Sequence, residues 1–243
     1  MEFSEPSSLL NTLSIREYHI TPPGKHVQVL GEWHDIRFES CPLPHIRLAD
    51  YVTDFAVRTG ANVLLEITPP DVDDLRNIHS FNIRETVHNL LQHGLRDRII
   101  PFDYRPWFLP HERIHRLYAE NLRGVTLQKI QQEYIEPFFV KAREGAFNLN
   151  PELYTQKTLE YLYEQYIPQM DVDFRQVAQT GNVHELKNAW AKVTDFYLLR
   201  EVLQNNRNPL IILVGESHAQ HLATVLPGLV SERLYSDGDC IQV

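Results

Sequence analysis

Two short stretches constrain this chain more than any other feature. Val27-Gln28-Val29-Leu30-Gly31-Glu32-Trp33-His34 and Ile211-Ile212-Leu213-Val214-Gly215-Glu216-Ser217-His218 are both brief apolar runs, rich in β-branched residues, that end in Gly-Glu-x-His. Such runs read as buried strands, because they are short, lack polar alternation and are stopped by glycine. Glycine lets the chain turn sharply as it leaves the strand. The His three residues later then sits at the strand's carboxyl end, the edge where ligands bind in open α/β sheets. With 10 Gly and 12 His in 243 residues, two copies of the pattern arise by chance in roughly one such chain in a thousand.

The rest of the pattern builds around these strands. Ile15–Ile20 reads as a strand, followed by a turn at Thr21-Pro22-Pro23-Gly24. Pro44 marks a helix start, Ile46, Ala49, Val52, Phe55 and Ala56 keep helical spacing, and Gly60 stops the helix. Asn62–Ile67 is the next strand, so a right-handed βαβ unit with parallel strands is expected. Helices follow at Asp71–Ile78 and Asn82–His93, then a strand at 98–102. Residues 111–205 are almost wholly helical, with segments at Val125–Glu144, Pro151–Tyr166, Asp173–Gln179 and Val183–Asn205. No linker separates them, so they read as an insertion or lid within a single domain spanning 1–243. A helix over Gln220–Leu226 and closing strands at Leu229–Tyr235 and Asp239–Val243 end the chain. The expected fold is three-layer α/β, with a mainly parallel central sheet and a large helical insertion. Strands near 27–30, 62–67, 98–102 and 210–214 should all end on one edge.

Composition sets bounds on partners. A net charge of −9 and a pI near 5.7 argue against a nucleic-acid surface, which needs a basic face. No apolar run approaches membrane-spanning length, and the first residues have neither a basic region nor an apolar core of a signal peptide. An intracellular, cytoplasmic location is the expectation. Cys41 and Cys240 give no disulfide framework. The expected partner is a small-molecule or peptide substrate.

Four strand ends carry residues suited to catalysis. Glu66 closes an apolar strand, where a charge is costly unless paired. Beside His34 it can serve as a ligand or a base, or it is an ordinary strand-end carboxylate with a local Arg. Arg105, in Phe102-Asp103-Tyr104-Arg105, can clamp an anionic group or balance Glu66; the plainer alternative is pairing of Asp103 and Arg105 with loop backbone. His111-Glu112-Arg113-Ile114-His115 matches the zinc-protease pattern H-E-x-x-H. Arg113 and Arg116 would place cations beside its metal, and Pro110 puts the motif in a first turn, so it ranks as the lesser alternative. Gly215-Glu216-Ser217-His218 lacks the second glycine of a serine-hydrolase elbow. Asp195 reads as a solvated or locally paired carboxylate.

Paired strand-terminal G-x-x-H turns, with a Glu ending an intervening strand and an Arg after another, resemble the erythromycin esterase/ChaN/TIKI superfamily. Gly-Glu-x-His is similar to the esterase and ChaN branches, Leu64-Leu65-Glu66 to the Glu strand, and Phe102–Arg105 to the Arg element. The likeness covers about residues 27–105 and 195–230; the middle shows no matching motif, and the lipobox Cys common in ChaN-like members is absent. The resemblance implies hydrolysis of an ester or of an amide or peptide bond. In a TIKI-like version His34, Glu66 and His218 hold a divalent transition metal (Mn, Co or Zn), with Glu32 or Glu216 orienting a ligand or acting as base. In an esterase-like version there is no metal. One His activates water, carboxylates fix its tautomer, and Arg105 stabilises developing negative charge. ChaN-like members bind haem or iron, and the fold also serves as a non-catalytic module, so a haem-, metal- or ligand-binding scaffold is the alternative from another class. Haem ranks below a bare metal ion.

Overall fold

The computed structural model describes residues 9–10, 12, 14–20, 24–32, 46–103, 169, 172–173, 176, 179–180, 183–204, 208–226, 228–234 and 241–242. In chain order the elements are β1 (Leu9–Leu10), β2 (Ser14–Ile20), β3 (Lys25–Glu32), α1 (Leu48–Thr59), β4 (Asn62–Leu65), α2 (Phe81–Gln92), β5 (Ile99–Pro101), α3 (Val183–Gln204), β6 (Leu210–Gly215), α4 (Glu216–Val225), β7 (Leu229–Leu234) and β8 (Ile241–Gln242). The chain divides into two compact units. One is Met1–Phe102 with Asn205–Val243, and the other is Asp103–Gln204. The first contains the six-stranded sheet. The second enters between β5 and β6, and most of its described residues belong to α3.

The sheet runs β5-β4-β6-β3-β2-β7. The four apolar runs read from the sequence are neighbours and parallel: β4 pairs with β5 and with β6, and β6 pairs with β3. They end together, as expected, with Glu32 opposite Gly215 and Leu65 opposite Leu213 and Pro101. Strand β2 lies antiparallel between β3 and β7, so the sheet is mixed. Its side chains alternate in the way its pairing requires. A separate antiparallel pair joins β1 to β8.

One face of the sheet is covered by α1 and α2. Val52, Ala56, Ile83, Val87 and Leu90 from the helices pack on Ile15, Leu30, Val63, Leu65, Ile211 and Leu213. These positions carry the helical spacing of α1 and α2 and one parity of each strand. Each of the Val, Leu and Ile side chains among them contributes about 1.5–3 kcal/mol when fully buried. Gly60 closes α1 in the left-handed region (φ 70°), its N–H donating to Ala56 O. The helix expected over Asp71–Ile78 is instead two short 3-10 turns, Pro69–Val72 and Leu75–Asn77. Asp71 and Asp74 explain the difference. Their carboxylates accept from the backbone N–H groups of Thr68 and Arg76, offering the chain local caps in place of a continuing helix. The helix after β6 begins at Glu216, four residues before the expected start, so His218 lies in its first turn.

The other face meets α4. Ser14 and Arg16 in β2 point away from Ile15, and both hydrogen-bond to Glu216, the first residue of α4. The connection after β3 therefore leads to a helix on one face, and the connection after β6 to a helix on the other. Strands β3 and β6 are adjacent, so their carboxyl ends form a topological switch point, where α/β sheets open a crevice for ligands. Gly31-Glu32 and Gly215-Glu216 both lie there.

Among the described residues no helix is long and apolar enough to cross a membrane. His34, Arg105, the His111–His115 motif and both cysteines lie outside the described residues, as do the expected helix start at Pro44 and the expected helices at 125–144 and 151–166.

Candidate active site

The Gly-Glu pairs that open the two motifs land in two different local structures. Gly31 and Glu32 are the last two residues of β3 and stay in the sheet. Gly215 ends β6 and caps α4 with φ −56° and ψ 142°, and Glu216 and His218 belong to the helix. Neither glycine has a positive φ, so neither is needed for a left-handed turn. Gly31 serves a steric purpose instead. A Cβ at this position would fall on the Glu216 carboxylate and on Ser14 Oγ. The missing side chain is the space that Glu216 occupies.

Glu66 and His218 come together. Glu66 follows β4 directly, and its Oε1 lies 3.4 Å from Nε2 of His218; both side chains are more than nine-tenths buried. The other oxygen, Oε2, accepts the backbone N–H of Gly215 at 3.2 Å. Two neighbouring parallel strands thus deliver a carboxylate and an imidazole to one point, and the carboxylate is tied to the backbone of the strand that carries the imidazole. The burial expected to make Glu66 costly is offset by these two partners.

The remaining carboxylates of the motif take separate places. Glu32 is 3% exposed and turned toward the α1/α2 face. There its Oε1 accepts the hydroxyl of Ser80 at 2.5 Å, and Ser80 in turn caps α2 by accepting the N–H of Ile83. Glu216 is turned to the opposite face. Ser14 Oγ donates to its Oε2, Arg16 to its Oε1 at 3.0 Å, and Gln220 to the same oxygen at 3.1 Å. Arg16 also donates through Nε to Glu232 in β7 at 2.6 Å and to Ser14 Oγ at 2.7 Å. Burial disfavours charge on Arg16, but its hydrogen bonds and proximity to Glu216 and Glu232 outweigh this and raise its pKa above the ordinary value. Tyr18, two residues along the same face of β2, is fully buried. Desolvation pushes its phenol up to about 12, with Arg16 opposing and the two carboxylates adding to the effect.

His34 follows Glu32 by two residues and Arg105 follows Asp103 by two, and neither is among the described residues. Asp103 itself is 5% exposed, as is Asp195 in α3. Among the described residues no group of three His, Cys, Asp or Glu side chains gathers in a metal-binding arrangement. Ser14, Arg16, Ser80 and Glu232 have no counterpart in the sequence reading. The only signal was weak: Arg16 is polar within the strand expected over Ile15–Ile20, and Ser14, just before that strand, has the same parity, a pattern that ordinarily marks a solvated face. Set against protein-family models, curated proteins and solved structures, the chain matches none of them.

Proposed function

We propose that this protein is a hydrolase of ester or of amide or peptide bonds, with His218 and Glu66 at the centre of its site. The observation that carries this reading is the buried Glu66–His218 pair at the carboxyl ends of β4 and β6, beside the switch point between β3 and β6. Glu66 has both oxygens engaged, one by His218 and one by the Gly215 N–H. It therefore acts through the imidazole, holding the ring in place and stabilising its protonated form, while His218 takes a proton from the attacking water. The resemblance adds His34 as a second imidazole and Arg105 as the group that stabilises developing negative charge; both lie outside the described residues. The likeness to the erythromycin esterase/ChaN/TIKI superfamily supports the same chemistry.

A metal-dependent version has its own support. A carboxylate oxygen and an imidazole nitrogen bound to one tetrahedral ion at about 2.0–2.1 Å stand about 3.3 Å apart, and Glu66 Oε1 and His218 Nε2 stand 3.4 Å apart. Glu66 and His218, with His34, would hold Mn, Co or Zn, ions that suit imidazole and carboxylate ligands. A metal in this position would lower the pKa of a bound water and polarise a carbonyl.

The test is turnover of a panel of nitrophenyl esters and fluorogenic peptides by wild-type protein, His218→Ala and Glu66→Gln, with metal content measured on each preparation. Turnover lost in both folded variants supports the reading; turnover that survives both overturns it. Bound metal in the wild type that is lost from His218→Ala selects the metal version. A visible haem band without turnover points to a binding protein instead. Replacing His111 and His115 together by Ala should leave turnover and metal content near wild type, and loss of metal in that folded variant would revive the zinc-protease alternative.

A further inference from the structure

The two Gly-Glu-x-His stretches interlock, and this gives the second glutamate a role that its position beside a candidate site does not suggest. Glu216 sits where a side chain on Gly31 would be. There it accepts hydrogen bonds from Ser14 and from Arg16, which is itself 2% exposed and fixed by Glu232. These anchors lie in β2, β3 and β7, while Glu216 is the first residue of α4 and His218 the third. The first turn of α4 is rigid within itself, so the seat of Glu216 sets where His218 lies. Glu66 approaches from the other direction, from β4 across β6, and meets the same turn through the Gly215 N–H.

We propose that Glu216 is a positioning residue: docked in the slot left by Gly31 and held by Ser14 and Arg16, it seats the first turn of α4 so that the His218 ring meets Glu66. A carboxylate at this first position also complements the partial positive charge of the helix N-terminus. That the alignment serves hydrolysis rests on the reading above; the alignment itself does not.

The test adds and removes one carbon at the lock. Gly31→Ala fills the slot, and Glu216→Asp withdraws the carboxylate by one methylene. The primary readout is the ring ¹H–¹⁵N spectrum of His218 at fixed pH, assigned by comparison with His218→Ala, with circular dichroism as the check on folding. Gly31→Ala should shift the His218 ring signals, and the double variant Gly31→Ala/Glu216→Asp should bring them back toward wild type. Glu216→Gln, which keeps the shape and loses the charge, is the second probe should Gly31→Ala fail to fold, and it too should shift the ring signals. Where turnover is measurable, kcat should fall by tens to about a hundredfold in Gly31→Ala, the scale expected for displacement of a reacting group by about 1 Å. KM should change less, and kcat should recover in the double variant. Unchanged ring signals in folded Gly31→Ala or Glu216→Gln, or a double variant no closer to wild type than Gly31→Ala, would overturn the proposal. Ring signals that move and recover as expected in a protein that hydrolyses nothing would sink the hydrolase reading and leave the lock standing.

Discussion

Glu66 Oε1 and His218 Nε2 lie 3.4 Å apart in a buried setting, joined across the ends of two neighbouring parallel strands. Because Glu66 also accepts the Gly215 N–H, the carboxylate contributes to stability as well as to any chemistry. Glu66→Leu should lower the unfolding free energy by about 1–3 kcal/mol, the cost of removing the acceptor from buried donors. Glu66→Gln keeps a side-chain oxygen for Gly215 and should cost less. Urea unfolding of the two variants checks the order; a Leu variant as stable as wild type would show that the pair has no structural value.

A larger loss is expected at Arg16. Its guanidinium is buried, yet it faces two carboxylates, Glu216 at 3.0 Å and Glu232 at 2.6 Å. Removing one partner of a buried ion pair leaves uncompensated charge and costs about 3–5 kcal/mol. Arg16→Met should fall in the lower part of that range, because Glu232 is partly solvated. Arg16→Lys should recover only a fraction, since an ammonium cannot reach Glu216, Glu232 and Ser14 with the geometry of a planar fork. Thermal melts at neutral pH would separate the three proteins, and equal melting temperatures for Met and wild type would refute the expectation.

The parallel strands were legible because their burial is written in consecutive residues. Val27–Leu30 and Ile211–Val214 are apolar at every step but Gln28, and Gly60 stops α1 where the helical spacing ends. The motif glycines were placed correctly, but their reason was not readable. Gly31 makes room for Glu216, a residue 202 positions from the Ser14 that shares the slot, and no local pattern carries such a contact. Ser14 and Arg16 were unreadable for the same reason, because alternating polar residues normally face water and here hydrogen-bond to the first residue of α4. Strand order was hidden too, since β6 inserts between β3 and β4 only after the chain has passed through its second unit.

Tyr18 offers a test of the buried polar face. Its hydroxyl is buried and has no hydrogen-bond partner among the described residues. Tyr18→Phe removes a polar group that lost water without gaining a protein partner, so it should be neutral or stabilising at neutral pH, by up to about 1 kcal/mol. The sign with pH is also fixed. Burial raises the folded-state pKa from 10.0 to about 12, so the folded protein holds the phenol proton more tightly than the unfolded chain. The stability this confers is full below pH 10 and is lost as pH rises toward 12. The difference in stability between wild type and Tyr18→Phe should therefore shift against wild type across that window. A Phe variant destabilised by more than about 1 kcal/mol at pH 7 would mean the hydroxyl has a partner worth that much.

Lys25 begins β3, at the end of the sheet away from the candidate site, and is 6% exposed. Desolvation lowers its pKa from 10.5 to about 8, so the folded state disfavours the charged ammonium. Below pH 8 both folded and unfolded chains are protonated and the penalty is fully present. Between about pH 8 and 10.5 the folded protein has released this proton and the unfolded chain still binds it, so stability rises with pH through that window. Lys25→Met keeps the long aliphatic stem and removes the ammonium. The stability of wild type relative to this variant should therefore rise between pH 7 and pH 10. Unfolding midpoints at pH 7 and pH 9.5, taken for both proteins, isolate this group because all other titrations are common to the pair. A difference between the two proteins that stays constant, or that moves against wild type as pH rises, would mean that the ammonium is not disfavoured where it lies.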